Sequence, residues 1–331
     1  MRSTTPRHLS IGVAALLLGG VLAARHPTLA ADAYPSRPVH MLVGFAPGGP
    51  TDVVARILGQ KLSESLHQQF VIENRVGAGS NIAMGIVAKA APDGYTLVAV
   101  SSAYVVNPSL YGDKITYDVY KDFAPITEAA DSPNVILVNP SVQATTMKAL
   151  IELIRANPGK YGIATSGIGT TPDLAAELFR MTYKLDAVRV PFNGAAPALQ
   201  SVLQGQTQVG FSALPTATQM VKSGQLRALA LAAKHRTAAL PDVPTTAEAG
   251  IPDQESDTMG AVLAPARTPP EIVDLLQKEI AKAMADPAVK QHLAELGFEP
   301  VANTPAEFTA LIRQEVEKWG KVIRAANIKV E

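Results

Sequence analysis

The chain has 331 residues, with 29 acidic and 29 basic side chains and no cysteine. The lack of cysteine excludes thiolate catalysis, disulfides and cysteine-containing zinc sites, and the even charge balance leaves no polybasic surface for nucleic acid or anionic lipid. The length suffices for two lobes of ordinary size, each with its own core.

Arg2 and Arg7 precede an apolar run from Leu9 to Ala24, and small residues follow at Thr28-Leu29-Ala30 and Ala31-Asp32-Ala33. The run falls short of the roughly 20 residues that a spanning helix needs, and no later stretch approaches that length without charges. Residues 1–33 therefore read as a cleavable export signal, with either triplet as the cut. The remainder reads as a periplasmic protein that is not membrane-embedded.

From there the pattern is an apolar strand, a Gly-bearing turn, a helix and another strand, which is the signature of α/β architecture. A first set has a strand at Val39–Phe45, a helix at Thr51–Leu66 with Val54, Leu58 and Leu62 on one face, a helix around Asn81–Ala90, and strands at Phe70–Ile72, Thr96–Val100 and Val135–Val138. A second set alternates helices at 147–156, 172–181, 195–204 and 216–223 with strands at 161–164, 188–190, 209–211 and 226–231. From Pro269 the period changes to long helices at 270–285, 287–296 and 305–326, each opening on a proline. The expectation is a two-lobed α/β fold, with two mostly parallel sheets flanked by helices. Lobe 1 spans 34–135, lobe 2 spans 136–257, and 258–331 returns to lobe 1, the two crossings forming a hinge.

Three strand ends run into Gly-bearing turns that open helices. They are Phe45-Ala46-Pro47-Gly48-Gly49-Pro50-Thr51-Asp52, Ala164-Thr165-Ser166-Gly167-Ile168-Gly169-Thr170-Thr171 and Val190-Pro191-Phe192-Asn193-Gly194-Ala195-Ala196-Pro197. Glycine allows close backbone approach, and a helix start offers unpaired N–H groups and a positive dipole end, so each turn can hold an anion. Ser166, Thr170 and Thr171 add hydroxyl donors. The first turn lacks the lysine of a P-loop, and the second lacks the third glycine of a dinucleotide turn. No G-x-S-x-G elbow or H-E-x-x-H pair occurs, and His40, His67, His235 and His292 are scattered. No catalytic residue, metal ligand or cofactor is therefore expected. Asp52 and Asp173, at helix starts, read as first-turn charges rather than general bases. Tyr104 follows a strand end and is expected to face the cleft.

These turns, with Tyr34-Pro35-Ser36-Arg37-Pro38, Glu73-Asn74-Arg75-Val76-Gly77-Ala78-Gly79-Ser80-Asn81, Pro92-Asp93-Gly94-Tyr95, Asn107-Pro108-Ser109-Leu110-Tyr111 and Leu240-Pro241-Asp242-Val243-Pro244, resemble the Bug family in its order along the chain. These are extracytoplasmic solute receptors of tripartite tricarboxylate transporters. The resemblance implies a two-lobed α/β fold of the periplasmic-binding-protein kind, in which a ligand carboxylate lies between lobes against Gly48 and Gly49, held by backbone amides and bridging waters. Turns like those at Ser166–Thr171 and Phe192–Ala195 close over it, and Asn81, Ser101 and Ser102 also face it. The candidate ligand-binding set is thus Phe45, Pro47, Gly48, Gly49, Asp52, Asn81, Ser101, Ser102, Tyr104, Ser166, Gly167, Thr170, Thr171, Asp173, Phe192, Asn193, Gly194 and Ala195. Three departures from the family pattern stand out: Asp173 replaces the usual His, Met259 the usual Trp, and Gln208 the usual acidic residue. The resemblance implies a monomer that delivers a small carboxylate to the membrane permease subunits. Docking on a sensor kinase and a secreted enzyme acting on small acids stay open as alternatives.

Overall fold

Val39–Val43 (β1) opens the ordered architecture of the computed structural model, which describes residues 34–330; the expected export signal and its cleavage sites lie outside the described residues. Four of the five β1 side chains are buried, as in a parallel strand covered on both faces. After it come α1 (Pro50–Leu66), β2 (Phe70–Asn74), α2 (Asn81–Val87), β3 (Thr96–Val100), α3 (Ala103–Tyr111) and β4 (Phe123–Asp131). The chain then enters β5 (Asn134–Val138), α4 (Met147–Ala156), β6 (Gly162–Thr165), α5 (Thr171–Tyr183), β7 (Val188–Pro191), α6 (Ala195–Leu203), β8 (Val209–Ala213), α7 (Leu214–Lys222) and β9 (Arg227–Leu231). It closes with β10 (Gly260–Pro265), α8 (Pro270–Ala285), α9 (Pro287–Leu296), β11 (Glu299–Pro300) and α10 (Pro305–Ala325).

Two sheets result, one of six strands in the order β11-β4-β10-β3-β1-β2 and one of five in the order β7-β6-β8-β5-β9. They are mixed rather than mostly parallel. β1, β2 and β3 are parallel, as are β6, β7 and β8, but β10 runs antiparallel to both β3 and β4, and β5 runs antiparallel to β8 and β9. The antiparallel strands are those next to the crossings, where one segment leaves a sheet and another returns beside it. Val135–Val138 accordingly belongs to the second sheet.

Helices form where the apolar period is 3.6 and cover both faces of each sheet. In α4, Met147, Leu150, Ile151 and Ile154 are buried, and Thr146 caps the helix by accepting the Ala149 N–H at 3.1 Å. In α1, Val54, Ala55, Leu58 and Leu62 join the core of β1 and β2, where truncating one leucine to alanine costs about 2–5 kcal/mol. Two elements have weak local signals. β4 carries Pro125 and Glu128, and α3 contains Pro108 two positions after a Val-Val pair. Each is held by tertiary packing, β4 between β10 and β11 and α3 against α10.

The lobes are joined by two antiparallel segments. Ser132 N–H donates to Thr258 O at 3.1 Å, Thr258 N–H returns the bond to Ser132 O at 2.7 Å, and Asn134 N–H donates to Ser256 O at 2.9 Å. Leu174 of α5, in the second lobe, is fully buried in the first-lobe cluster that holds Val106, Leu110 and Trp319. No helix among the described residues is long and apolar enough to cross a membrane.

Acidic side chains crowd this junction. Burial, then the neighbouring Asp131, Asp257 and Glu315, push the Glu128 carboxyl up to about 8. Burial, then Asp257 and Glu299, push Asp131 up to about 7. Burial and Glu315 also raise Asp257, against the opposing pull of Lys318 and Lys234. The folded protein holds these protons more tightly than the unfolded chain does. Their contribution to stability is complete below the unfolded carboxylate range near 4 and is lost as pH rises through about 7 to 8. Thermal unfolding should show a melting temperature that falls from about pH 5.5 to about pH 8.5, and Glu128→Gln should flatten that fall. A profile that rises across this window contradicts the assignment.

Candidate ligand-binding site

Between the lobes lies a cavity of about 350 Å³, within the range of small-molecule sites. It is lined by residues 45–51 and 101–103 of the first lobe, by 166, 170–172, 193–197, 213 and 216 of the second, and by Thr258 of the connecting segment. Five helices, α1, α3, α5, α6 and α7, begin on this lining. In none of the five does the side chain of the N-cap residue accept a first-turn N–H. Among the described residues, side chains cap α4, α9 and α10, by Thr146, Asp286 and Thr304, and these starts lie away from the cavity, as do those of the uncapped α2 and α8.

The first N–H groups of a helix have no partner within it. In α1 and α5 the earliest bonds beyond the cap are Val53 N–H to Gly49 O at 3.0 Å and Leu174 N–H to Thr170 O at 2.9 Å. Thr51, Thr171, and Ala195 with Ala196 thus stand on the cavity lining in the first turns of three helices. Each positive helix end stabilises an adjacent anion by about 0.3–1 kcal/mol, and by about 2 kcal/mol when partly buried. The α3 start is partly self-satisfied, since Ala103 N–H donates to Ser101 Oγ at 3.1 Å.

A buried aspartate at the third helical position fixes the turn in each lobe. In the first, Asp52 Oδ2 accepts the Gly48 N–H at 2.9 Å and the Arg56 Nε at 2.8 Å, while Oδ1 accepts Arg56 Nη2 at 3.0 Å and Asn74 Nδ2 at 2.8 Å. Burial alone would raise this carboxyl, but these hydrogen bonds hold it below the ordinary range. In the second, fully buried Asp173 accepts the Gly169 N–H at 3.0 Å, Thr165 Oγ1 at 2.8 Å and Arg189 Nη1 at 2.8 Å. Here burial prevails over Arg189 and the hydrogen bonds, and the carboxyl is raised. Both turn glycines sit in the left-handed region, Gly48 at φ 81° and Gly169 at φ 78°. A Cβ on Gly169 would also lie 2.0 Å from Leu110 Cδ2, so this turn meets the first lobe through a contact that only glycine permits.

Of the residues expected at the site, Phe45, Pro47, Gly48 and Gly49 line the cavity, as do Ser101, Ser102, Ser166, Thr170 and Thr171 and, from the third turn, Asn193, Gly194 and Ala195. Six others do not. Asp52 and Asp173 point back onto their own turns, as described. Tyr104 does not face the cleft: it is fully buried, its hydroxyl donates to Val119 O at 2.5 Å, and its ring packs edge-on against Phe123. Asn81 Oδ1 accepts from Asn107 Nδ2 at 2.8 Å and from the Tyr117 hydroxyl at 2.5 Å, which wires it to the back of α3. The Gly167 carbonyl accepts both the N–H and the hydroxyl of Thr170, at 3.1 and 2.8 Å, and shapes the turn from outside the lining. Phe192 packs on the second-lobe core.

Ala213, Thr216 and Thr258, and with them Ala103 and Pro172 beside the expected residues, line the cavity without having been expected there. The signal for the first two was a strand end followed by Leu214-Pro215, the same strand-to-proline junction without a glycine; Thr258 lies in an irregular connecting segment with no signal of its own.

Most of the lining hydroxyls are engaged already. Thr171 Oγ1 pairs with Thr258 Oγ1 at 3.0 Å, Thr216 Oγ1 donates to Ala213 O at 2.7 Å, and Ser102 Oγ accepts the Met259 N–H at 2.9 Å. Ser166 Oγ is different, being buried with no hydrogen-bond partner among the described residues. Such an orphan suits a donor to a ligand.

A model described as the tripartite tricarboxylate transporter family receptor matches residues 54–328. The chain belongs to that family. This receptor is 37% identical to Protein BugT of Bordetella pertussis, over 92% of this chain and 93% of that protein. Among solved structures it is similar to R. palustris Rpa4515 with adipate, at 33% identity and a TM-score of 0.84, covering 89% of this chain and 99% of the other. It is similar also to MatC from Rhodopseudomonas palustris with bound malate, at 31% identity and a TM-score of 0.79, covering 88% and 100%.

The arginine partners of the receptor's two aspartate clamps differ in burial, and that difference is measurable. Asp173→Ala removes the nearer carboxylate of largely buried Arg189, leaving Glu177 at 4.0 Å, and should cost about 3 kcal/mol in urea unfolding. Asp52→Ala leaves Arg56 half in solvent and should cost about 1–2 kcal/mol. The reverse order contradicts the clamp description.

Proposed function

We propose that this receptor works in the periplasm, reached by means of the segment 1–33. It captures a small organic carboxylate between lobes built from 34–135 with 258–331 and from 136–257, and it acts as a monomer that passes the ligand to the permease subunits of a tripartite tricarboxylate-type transporter. One observation carries the reading: none of the five helices that start on the cavity is capped by its N-cap side chain, against three of the five that start elsewhere among the described residues. A carboxylate there acts as a shared cap for both lobes. It accepts N–H groups at the starts of α1, α5 and α6 together with the Ser166 hydroxyl, and because those donors belong to different lobes it favours the closed arrangement. The adipate and malate bound by the two solved relatives agree with this chemistry.

Binding converts directly into stability. A carboxylate present at about 100 times its Kd should add about 2.7 kcal/mol to unfolding, seen as a rise in melting temperature, and a neutral sugar of similar size should add none. Loss of uptake of that carboxylate on deletion of the gene, restored by the intact gene, is the expected result for the transport role. Shifts produced only by neutral solutes or cations contradict the proposal.

A further inference from the structure

The lobes meet at two apolar contacts away from the cavity. In the first, α5 divides its apolar side chains between lobes. Ala175, Ala176 and Phe179 pack in the core of their own sheet, whereas Leu174 is fully buried in the first-lobe cluster with Val106, Leu110 and Trp319. Every other buried member of that cluster comes from the first lobe or from the segment that returns to it. Gly169, just ahead of α5, lets its turn settle on α3: a Cβ there would fall 2.0 Å from Leu110 Cδ2 and 3.7 Å from Val106 Cγ1.

Different elements make the second contact. Gly297 ends α9 in the left-handed region at φ 88°, and a Cβ on it would lie 2.8 Å from Leu214 Cγ and 3.3 Å from Thr218 Oγ1 of α7. Val289 and Leu293 of α9 pack in the first-lobe core, and Leu214 belongs to the second. At both places glycine removes the side chain that would hold the lobes apart, and a leucine of the other lobe takes the space. None of Leu110, Gly169, Leu174, Leu214 and Gly297 lines the cavity. Parting the lobes would return Leu174 to water, which the hydrophobic effect opposes.

We propose that these two contacts form a latch, made when the lobes close and broken when they part, which sets the balance between open and closed receptor from outside the cavity. Its action does not depend on what the cavity binds. A ligand adds its contacts to a closure that apolar packing already favours, so substitutions at the latch change apparent affinity without touching the lining.

The chain has no cysteine, so one engineered pair can report closure without any ligand. In the ligand-stripped receptor, Leu214→Cys with Gly297→Cys sets two thiols where they can bond only when the lobes are together. The rate of disulfide formation under a fixed excess of oxidised glutathione, normalised to the alkylation rate of each single cysteine, then follows the closed fraction. Adding Leu174→Ser, at the other contact, should slow bonding at least about tenfold, and Leu174→Ala should slow it less. Met181→Ser, on the exposed side of the same helix, should leave the rate unchanged. Equal rates with and without the Leu174 substitutions overturn the latch, as does failure of the parent pair to bond. Loss of folded circular dichroism in both Leu174 variants also overturns it, because Leu174 would then belong to a core that never opens.

Discussion

The N–H groups at the start of a helix must find an acceptor, and the helices on the cavity leave that need unmet by their own side chains. This single constraint organises the molecule. Strands β1, β6 and β7 deliver the chain to the cleft, tight turns reverse it, and α1, α5 and α6 begin with their donors aimed inward. The turns keep their shape because each lobe sets a buried aspartate behind one of them, Asp52 behind Gly48 and Asp173 behind Gly169. The negative side chains at these helix starts therefore stabilise the protein backbone and leave the cavity free of charge.

The same arrangement explains why the lobes can cooperate. Donors from α1 stand on one sheet and donors from α5 and α6 on the other, while the connection between sheets is a pair of short antiparallel segments around Ser132–Asn134 and Ser256–Thr258. A ligand that spans the two donor groups gains contacts available only when both lobes face it. Leu174 and the Gly169–Leu110 contact show that the lobes also touch through apolar groups. The acidic cluster of Glu128, Asp131 and Asp257 sits beside the connecting segments, so protonation bears on the very segments about which the lobes are joined.

Much of this was legible in the residues. The spacing of Val54, Leu58 and Leu62, the proline at the start of each C-terminal helix, and the glycine turns after β1, β6 and β7 are local signals, and local geometry decides them. What escaped depends on distant partners. The first-turn placement of Asp173 could be read, but its partner Arg189 lies on β7, and nothing local says that the carboxylate turns inward to it. Tyr104 follows a strand end, yet its burial is set by Phe123 and Val119. The glycine signal also missed the starts of α3 and α7, because a strand end can open a helix with Ser-Ser or Leu-Pro when no close turn is needed. β4 and β10 escaped for a related reason: their antiparallel neighbours come from opposite ends of the chain.

The central claim is that main-chain donors from both lobes hold the carboxylate without a charged side chain. A crystal structure with a bound acid, at a resolution that places its oxygens, tests this most directly. The account predicts carboxylate oxygens within about 3.2 Å of N–H groups at the start of α1 and at the start of α5 or α6, with no arginine, lysine or histidine in contact. A carboxylate paired with such a side chain, or one bound to a single lobe alone, would contradict it.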